Sequence, residues 1–125
     1  GSPKMNFINC ELLNSSDNKT EIKFFDSTKL IIPKNLKNGN NNHDFKMGIR
    51  PEHLLVNENG DASWEGKVFV VEKLGSGTFL YLETNNEPLV VEADGDSDIK
   101  VGDTIKIGFV ASRCHLFDST KKSLL

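Results

Sequence analysis

Cysteine, proline and long apolar runs are all scarce in this sequence, and each shortage closes off a class of protein. Among 125 residues there are 2 cysteines and 4 prolines. Cys10 and Cys114 stand near opposite ends of the chain and form no Cys-x-x-Cys pair. A disulfide framework or a zinc site of ordinary spacing is therefore not expected. The expectation is two reduced thiols, although the ends of the chain could meet in space. No apolar run approaches the ~20 residues that span a bilayer, and no signal-peptide core is visible. That leads to the expectation of a cytosolic chain with no direct membrane insertion. Positive charge is also short: the formal net charge is -3. Nonspecific nucleic-acid binding runs on neutralising phosphates with Lys and Arg, so this balance disfavours it.

Catalytic and nucleotide-binding signatures are missing too. There is no G-x-x-x-x-G-K-[ST] phosphate loop. Gly75-Ser76-Gly77 is the one dense glycine cluster. It lies between two strand-like runs and lacks the helix N-terminus that would favour a phosphate, so it reads as a hairpin or barrel-corner turn. His43, His53 and His115 do not have metal-ligand spacing. Glu52-His53 could suggest acid–base work, but neighbours on an extended chain point to opposite faces and no third member accompanies them. Tying down a turn is the simpler role. No serine sits in a nucleophile elbow. For this chain no catalytic residue, metal site or cofactor is expected.

What the sequence does have is alternation. "EIKFFD", "EGKVFVVEKL", "TFLYLE", "PLVVEA" and "DTIKIGFV" carry β-branched and aromatic residues at a period near two. Turn chemistry separates them: "NSSDN", "NENGD", "GSG", "TNNE", "ADGDSD". Many short strands at close spacing predict an all-β barrel or sandwich. Most of the eight phenylalanines fall in these patterns and read as core. The single candidate helix is a turn at Pro51–Leu54, where proline suits a first helical position. "NLKNGNNNHD", residues 35–44, is too polar to order itself cheaply and reads as a loop between strands.

One frame occurs twice. "FKMGIRPEHLLV" and "IKIGFVASRCHLFD" share Lys, an apolar residue, Gly, an apolar residue and a later His-Leu, with Gly48 and Gly108 sixty positions apart. Tandem β-units, about 5–57 and 64–125, are one reading, and chance is the other. Each half is too small for its own core, so one domain over residues 1–125 is expected.

The stretch Gly48-Ile49-Arg50-Pro51-Glu52-His53-Leu54 resembles the signature of the accessory C-terminal domain of carbohydrate-importer ABC ATPases, of the maltose and sn-glycerol-3-phosphate type. "VFVVEKLGSGTFLYLE", "VGDTIKIGF" and "RCHLFD" resemble that family's later strands, in order, so that the likeness covers nearly the whole chain. Ser76-Gly77 departs from it, since the family more often has an acidic or amide residue before the Thr. The likeness implies an OB-like β-barrel of the TOBE type, elaborated by additional strands. It implies a regulatory and dimerisation domain whose ATPase portion, with its ATP and magnesium, lies upstream. It implies a second copy of the same subunit, permease subunits and regulatory proteins as partners. A terminal Gly-Ser by itself suggests an expression remnant; the resemblance instead implies that Gly1-Ser2-Pro3 are native and Met5 internal. Two other functions remain open, an oxyanion-binding module of TOBE type and an OB-fold nucleic-acid binder. The ligand motifs of the first are not found. The second would need a basic groove with aromatic platforms.

The signature also has a physical reading. Gly48 permits close backbone approach, and Pro51 fixes its own φ and holds Arg50 extended. Arg50 could then pair bidentately with Glu52 or a strand-borne carboxylate. For protein contacts the candidates are Gly108, Arg113, His115 and Phe117. In an extended segment the last three share a face, and Arg and aromatics are favoured interface anchors.

Overall fold

The computed structural model describes residues 4–36, 45–118 and 125. Gly1-Ser2-Pro3, His43 and most of the Asn-rich stretch lie outside them. Ten strands follow one another, with no α-helix among the described residues: β1 (Asn6–Ser16), β2 (Lys19–Phe24), β3 (Lys29–Ile32), β4 (Phe45–Ile49), β5 (Leu55–Val56), β6 (Ala62–Leu74), β7 (Gly77–Leu82), β8 (Leu89–Asp94), β9 (Thr104–Phe109) and β10 (His115–Phe117). All pairings between strands are antiparallel, in two sheets ordered β10-β4-β1-β2-β3 and β5-β9-β6-β7-β8.

The two orders are the same pattern, with one exchange. β1 to β4 lie as β6 to β9 do, but β5 follows the first set in the chain and pairs in the second sheet. β10 follows the second set and pairs in the first. Each half therefore lends its last strand to the other. The lending is done by two short corners, 3-10 turns at Pro51–His53 and Ala111–Arg113. The predicted turn at Pro51–Leu54 is the first of these.

Local chemistry explains the hairpins. Asp17 and Asn18 both have positive φ, 53° and 62°, between the paired residues Ser16 and Lys19. Both signs match a type I′ turn, whose twist suits a two-residue hairpin and which Asn and Asp tolerate. Gly75, with φ 61°, opens the tight turn between Leu74 and Gly77, as the glycine cluster predicted. The long strands β1 and β6 each bend at a register shift, after Leu12 and after Val68. β1 pairs with β4 over Asn6–Cys10 and with β2 over Cys10–Ser16, and β6 pairs with β9 over Ala62–Lys67 and with β7 over Val68–Leu74, so the shift in each falls within its second pairing and bends the strand there.

A single cluster of buried side chains fills the space between the sheets, drawing on both halves. Its aromatic centre joins Phe24 of β2 to Trp64 of β6 and Phe109 of β9, with centroids 4.8–5.5 Å apart. Phe24, Phe45, Phe79 and Phe109 are buried as the alternation predicted, whereas Phe25 and Phe69 are exposed, 41% and 37%. Phe25 still packs edge-on against Trp64 at 4.9 Å. A polar latch adds to the core: buried Asn6 donates from Nδ2 to the Val90 carbonyl and accepts the Val90 N–H on Oδ1, both at 2.8 Å. One side chain of β1 thus acts as a piece of strand against the outer edge of β8.

Candidate interaction surface

Gly48 lies in β4, between Phe7 of β1 and His115 of β10. A Cβ on it would stand 2.6 Å from Phe117 Cε2 and 2.7 Å from Met5 Sδ. Glycine is required here because a side chain would dislodge the two groups that lie across the strand. Phe117 meets Phe7 edge-on at 5.3 Å and His115 at 6.4 Å. Met5, Phe7, His115 and Phe117 thereby form a patch on the outer face of the first sheet. His115 is exposed and the other three are half-buried. Met and aromatic side chains suit a contact surface, because they offer large, adaptable apolar area.

Of the residues put forward for contact, the structure brings together His115 and Phe117. Arg113 is exposed, but it ends a 3-10 turn. The extended register that would place it on their face begins two residues later. Gly108 is buried, and a Cβ there would collide with the Glu58 carbonyl oxygen. The loop of residues 57–60 covers it, so it shapes the fold and does not meet a partner itself. Met5 and Phe7 were missed. The signal was available for Phe7: it occupies the outward position between inward Asn6 and Ile8, and an aromatic on an outward position needs a cover.

The signature residues after Gly48 form the first corner. Arg50 is extended, with φ -76° and ψ 148°, and its carbonyl accepts the His53 N–H at 3.0 Å. Pro51 is buried, Glu52 exposed and His53 half-buried. The Arg50 side chain is exposed, and the ion pair found among the described residues joins Lys23 to Glu11. The expected carboxylate partner of Arg50 is therefore absent among the described residues: the turn is held by Pro51 and by backbone bonds. Lys73, by contrast, donates to the Gly95 carbonyl at 2.9 Å and to Thr78 Oγ1 at 3.3 Å. The second corner is held similarly. Ala111 donates its N–H to Asp61 Oδ2 at 2.8 Å, and Cys114 N–H reaches the Ala111 carbonyl at 3.1 Å.

Both cysteines are free and buried. Burial pushes the thiols of Cys10 and Cys114 up to about 12. Burial is the largest cause, and at Cys114 the Asp61 carboxylate and then Cys10 contribute in the same direction. Protonated thiols at neutral pH are poor nucleophiles and poor metal ligands. Among the described residues no group of three or more His, Cys, Asp or Glu is placed to hold a metal ion, and no helix is long and apolar enough to cross a membrane.

Two curled antiparallel sheets with exchanged end strands, closed over one core, define an OB-like β-barrel module. The chain belongs to the TOBE domain family: the model of that domain matches residues 47–117, and the model of the MalK OB fold domain matches residues 1–54. The maltose/maltodextrin import ATP-binding protein MalK of Vibrio cholerae serotype O1 is 38% identical over 121 residues, 95% of this chain and 32% of that protein. MalK of Aliivibrio fischeri is 35% identical over 125 residues, 98% of this chain and 34% of that protein. The chain thus spans about a third of the length of the curated relatives it matches. Among solved structures, the cytoplasmic molybdate-binding protein ModG shares the fold, with a TM-score of 0.69 over 89% of this chain and 94% of that one, at 10% identity.

Proposed function

We propose that the chain is the regulatory and dimerisation domain of the ATP-binding subunit of an ABC importer for maltose-like sugars. The observation that supports this most is the match to MalK proteins over 95% of the chain. The ATPase portion, with its ATP and magnesium, then belongs to the part of the subunit that this chain does not span. The partners are a second copy of the subunit, the permease subunits that the ATPase drives, and regulatory proteins. The location is the cytoplasmic side of the membrane, reached through the transporter complex.

The mechanical part of the role suits the fold. A dimerisation domain must stay rigid while the ATPase portions open and close. Here two exchanged strands and one common core join the halves, so neither sheet can separate without unfolding the other. The Met5, Phe7, His115 and Phe117 patch is the surface assigned to the second copy, with Arg113 at its margin. In the full-length subunit, Phe117→Ala should weaken dimerisation in sedimentation experiments while leaving basal ATP hydrolysis within about twofold of the parent. A Phe117→Ala subunit that is folded and dimerises as the parent does would remove this patch from the interface. The 125-residue chain alone should show no saturable, magnesium-dependent ATP binding by calorimetry.

A further inference from the structure

Asn59 and Gly60 form an Asn-Gly pair in the loop that carries the chain from β5 to β6, and both are exposed. The backbone nitrogen after an asparagine can attack the side-chain amide carbon. Glycine permits this best, because it has no side chain to block the approach. Here that nitrogen is not engaged. Gly60 donates no hydrogen bond among the described residues. The bridge that joins it to Phe109 uses the N–H of the next residue, Asp61, which reaches the Phe109 carbonyl at 2.8 Å.

The carbon under attack is prepared as well. Lys106 Nζ donates to Asn59 Oδ1 at 2.9 Å. A cation on the amide oxygen draws electrons from Cγ. It also stabilises the negative oxygen that forms on attack, as a donor does in an oxyanion hole.

We propose that Asn59 is a site of spontaneous deamidation, promoted by Lys106. The Gly60 nitrogen gives its proton to solvent and bonds to Asn59 Cγ. The bond from Cγ to Nδ2 breaks, and ammonia leaves with a proton from water, which closes a succinimide ring. Water then opens the ring. Breaking the bond from Cγ to the Gly60 nitrogen gives aspartate. Breaking the bond from the Asn59 backbone carbonyl carbon to that nitrogen gives isoaspartate, whose main chain runs through Cβ and Cγ. Nothing is oxidised or reduced, and the chemistry does not depend on the transport role.

The two products fit differently. Aspartate keeps the main chain and places a carboxylate beside Lys106. Isoaspartate adds a main-chain carbon between fixed points, the Asn57 N–H bond of 2.7 Å to the Lys106 carbonyl and the Asp61 N–H bond to the Phe109 carbonyl. The loop lies so close to Gly108 that a Cβ there would stand 3.0 Å from the Asn59 carbonyl carbon. The longer chain must therefore bulge away from β9. Its new α-carboxylate is the group that S-adenosylmethionine-dependent isoaspartyl methyltransferases accept.

The test ages the folded 125-residue chain in mildly alkaline buffer over days, then digests it and maps the peptides by mass spectrometry. A second pair, Asn38-Gly39, lies outside the described residues and serves as an internal clock. Conversion at Asn59 is expected, with its isoaspartate detected by labelled methyl transfer from S-adenosylmethionine. Lys106→Met keeps the length of the side chain and loses the donor; it should slow conversion at Asn59 about fivefold or more relative to Asn38. Lys106→Arg keeps a donor and should retain most of the rate. Asn59→Asp should unfold at the parent's urea midpoint or above it, and the isoaspartyl fraction, separated by chromatography, below it. An Asn59 that persists while Asn38 converts fully would overturn the proposal. Equal or faster conversion in Lys106→Met would mean that the lysine shields the amide, and would overturn it too. An isoaspartyl fraction as stable as Asn59→Asp would refute the bulge.

Discussion

Adding one methyl group at each of the two matched glycines separates their roles. In Gly48→Ala the new Cβ would lie 2.6 Å from a Phe117 ring carbon and 2.7 Å from Met5 Sδ. Both obstacles are side chains near the surface, and both can swing away. Overpacking costs about 1–3 kcal/mol, and the stiffer unfolded chain returns about 0.4–1 kcal/mol. The net expectation is about 1–2 kcal/mol. In Gly108→Ala the obstacle is the Glu58 carbonyl, with the Asn59 carbonyl carbon 3.0 Å away. That is backbone, held by the Asn57 N–H bond of 2.7 Å to the Lys106 carbonyl and the Asp61 N–H bond of 2.8 Å to the Phe109 carbonyl. The loop must move as a unit, so the cost should reach about 3 kcal/mol, the upper end of overpacking. Urea titration followed by Trp64, the single tryptophan and 5% exposed, reads both variants. Placing Gly48→Ala in a Phe117→Ala background should cut its cost by about half or more, because the ring it displaces is gone. If Gly108→Ala proves no more costly than Gly48→Ala, the distinction between yielding side chain and fixed backbone is wrong.

Asn6→Ala removes two hydrogen bonds of 2.8 Å and leaves the Val90 N–H and C=O unpaired in a part-buried place, so it should lower unfolding free energy by about 2–4 kcal/mol in urea. Lys73→Ala should cost up to about 1 kcal/mol and Arg50→Ala less than about 0.5 kcal/mol, since Lys73 holds Gly95 and Thr78 while Arg50 holds no side-chain partner among the described residues; the reverse order in urea midpoints would contradict the two environments. The thiols make stability fall in alkali: Cys10 and Cys114 ionise near 12 in the fold and near the ordinary thiol value when unfolded. The unfolded state then releases protons first, so the contribution is fully present below about pH 8.5 and declines towards pH 12, at up to about 1.4 kcal/mol per pH unit for each thiol. Replacing both by Ala should flatten that slope, and an unchanged slope would show that the thiols do not cause it.

The sequence by itself determined the strands, because a period of two follows from local geometry. It marked the hairpin at Gly75-Ser76 and the corner at Pro51 for the same reason: positive φ and a fixed proline φ are properties of single residues. The twofold frame around Gly48 and Gly108 was visible as well, together with the family likeness carried by "GIRPEH". Only the tertiary structure decided what those features do. Both glycines looked alike, yet one lies under Phe117 and Met5 and the other under the 57–60 loop, because the exchange of β5 and β10 covers them differently. The exchange has no signature in the chain, since a two- or three-residue strand pairs wherever its corner delivers it. Arg50 looked like a partner for a carboxylate, but pairing depends on where the acids of other strands fall. Arg113 left the common face because a single 3-10 turn breaks the alternation that a reader would extend through it. The patch of Met5, Phe7, His115 and Phe117 gathers residues from distant parts of the chain, and only the register of the first sheet brings them together.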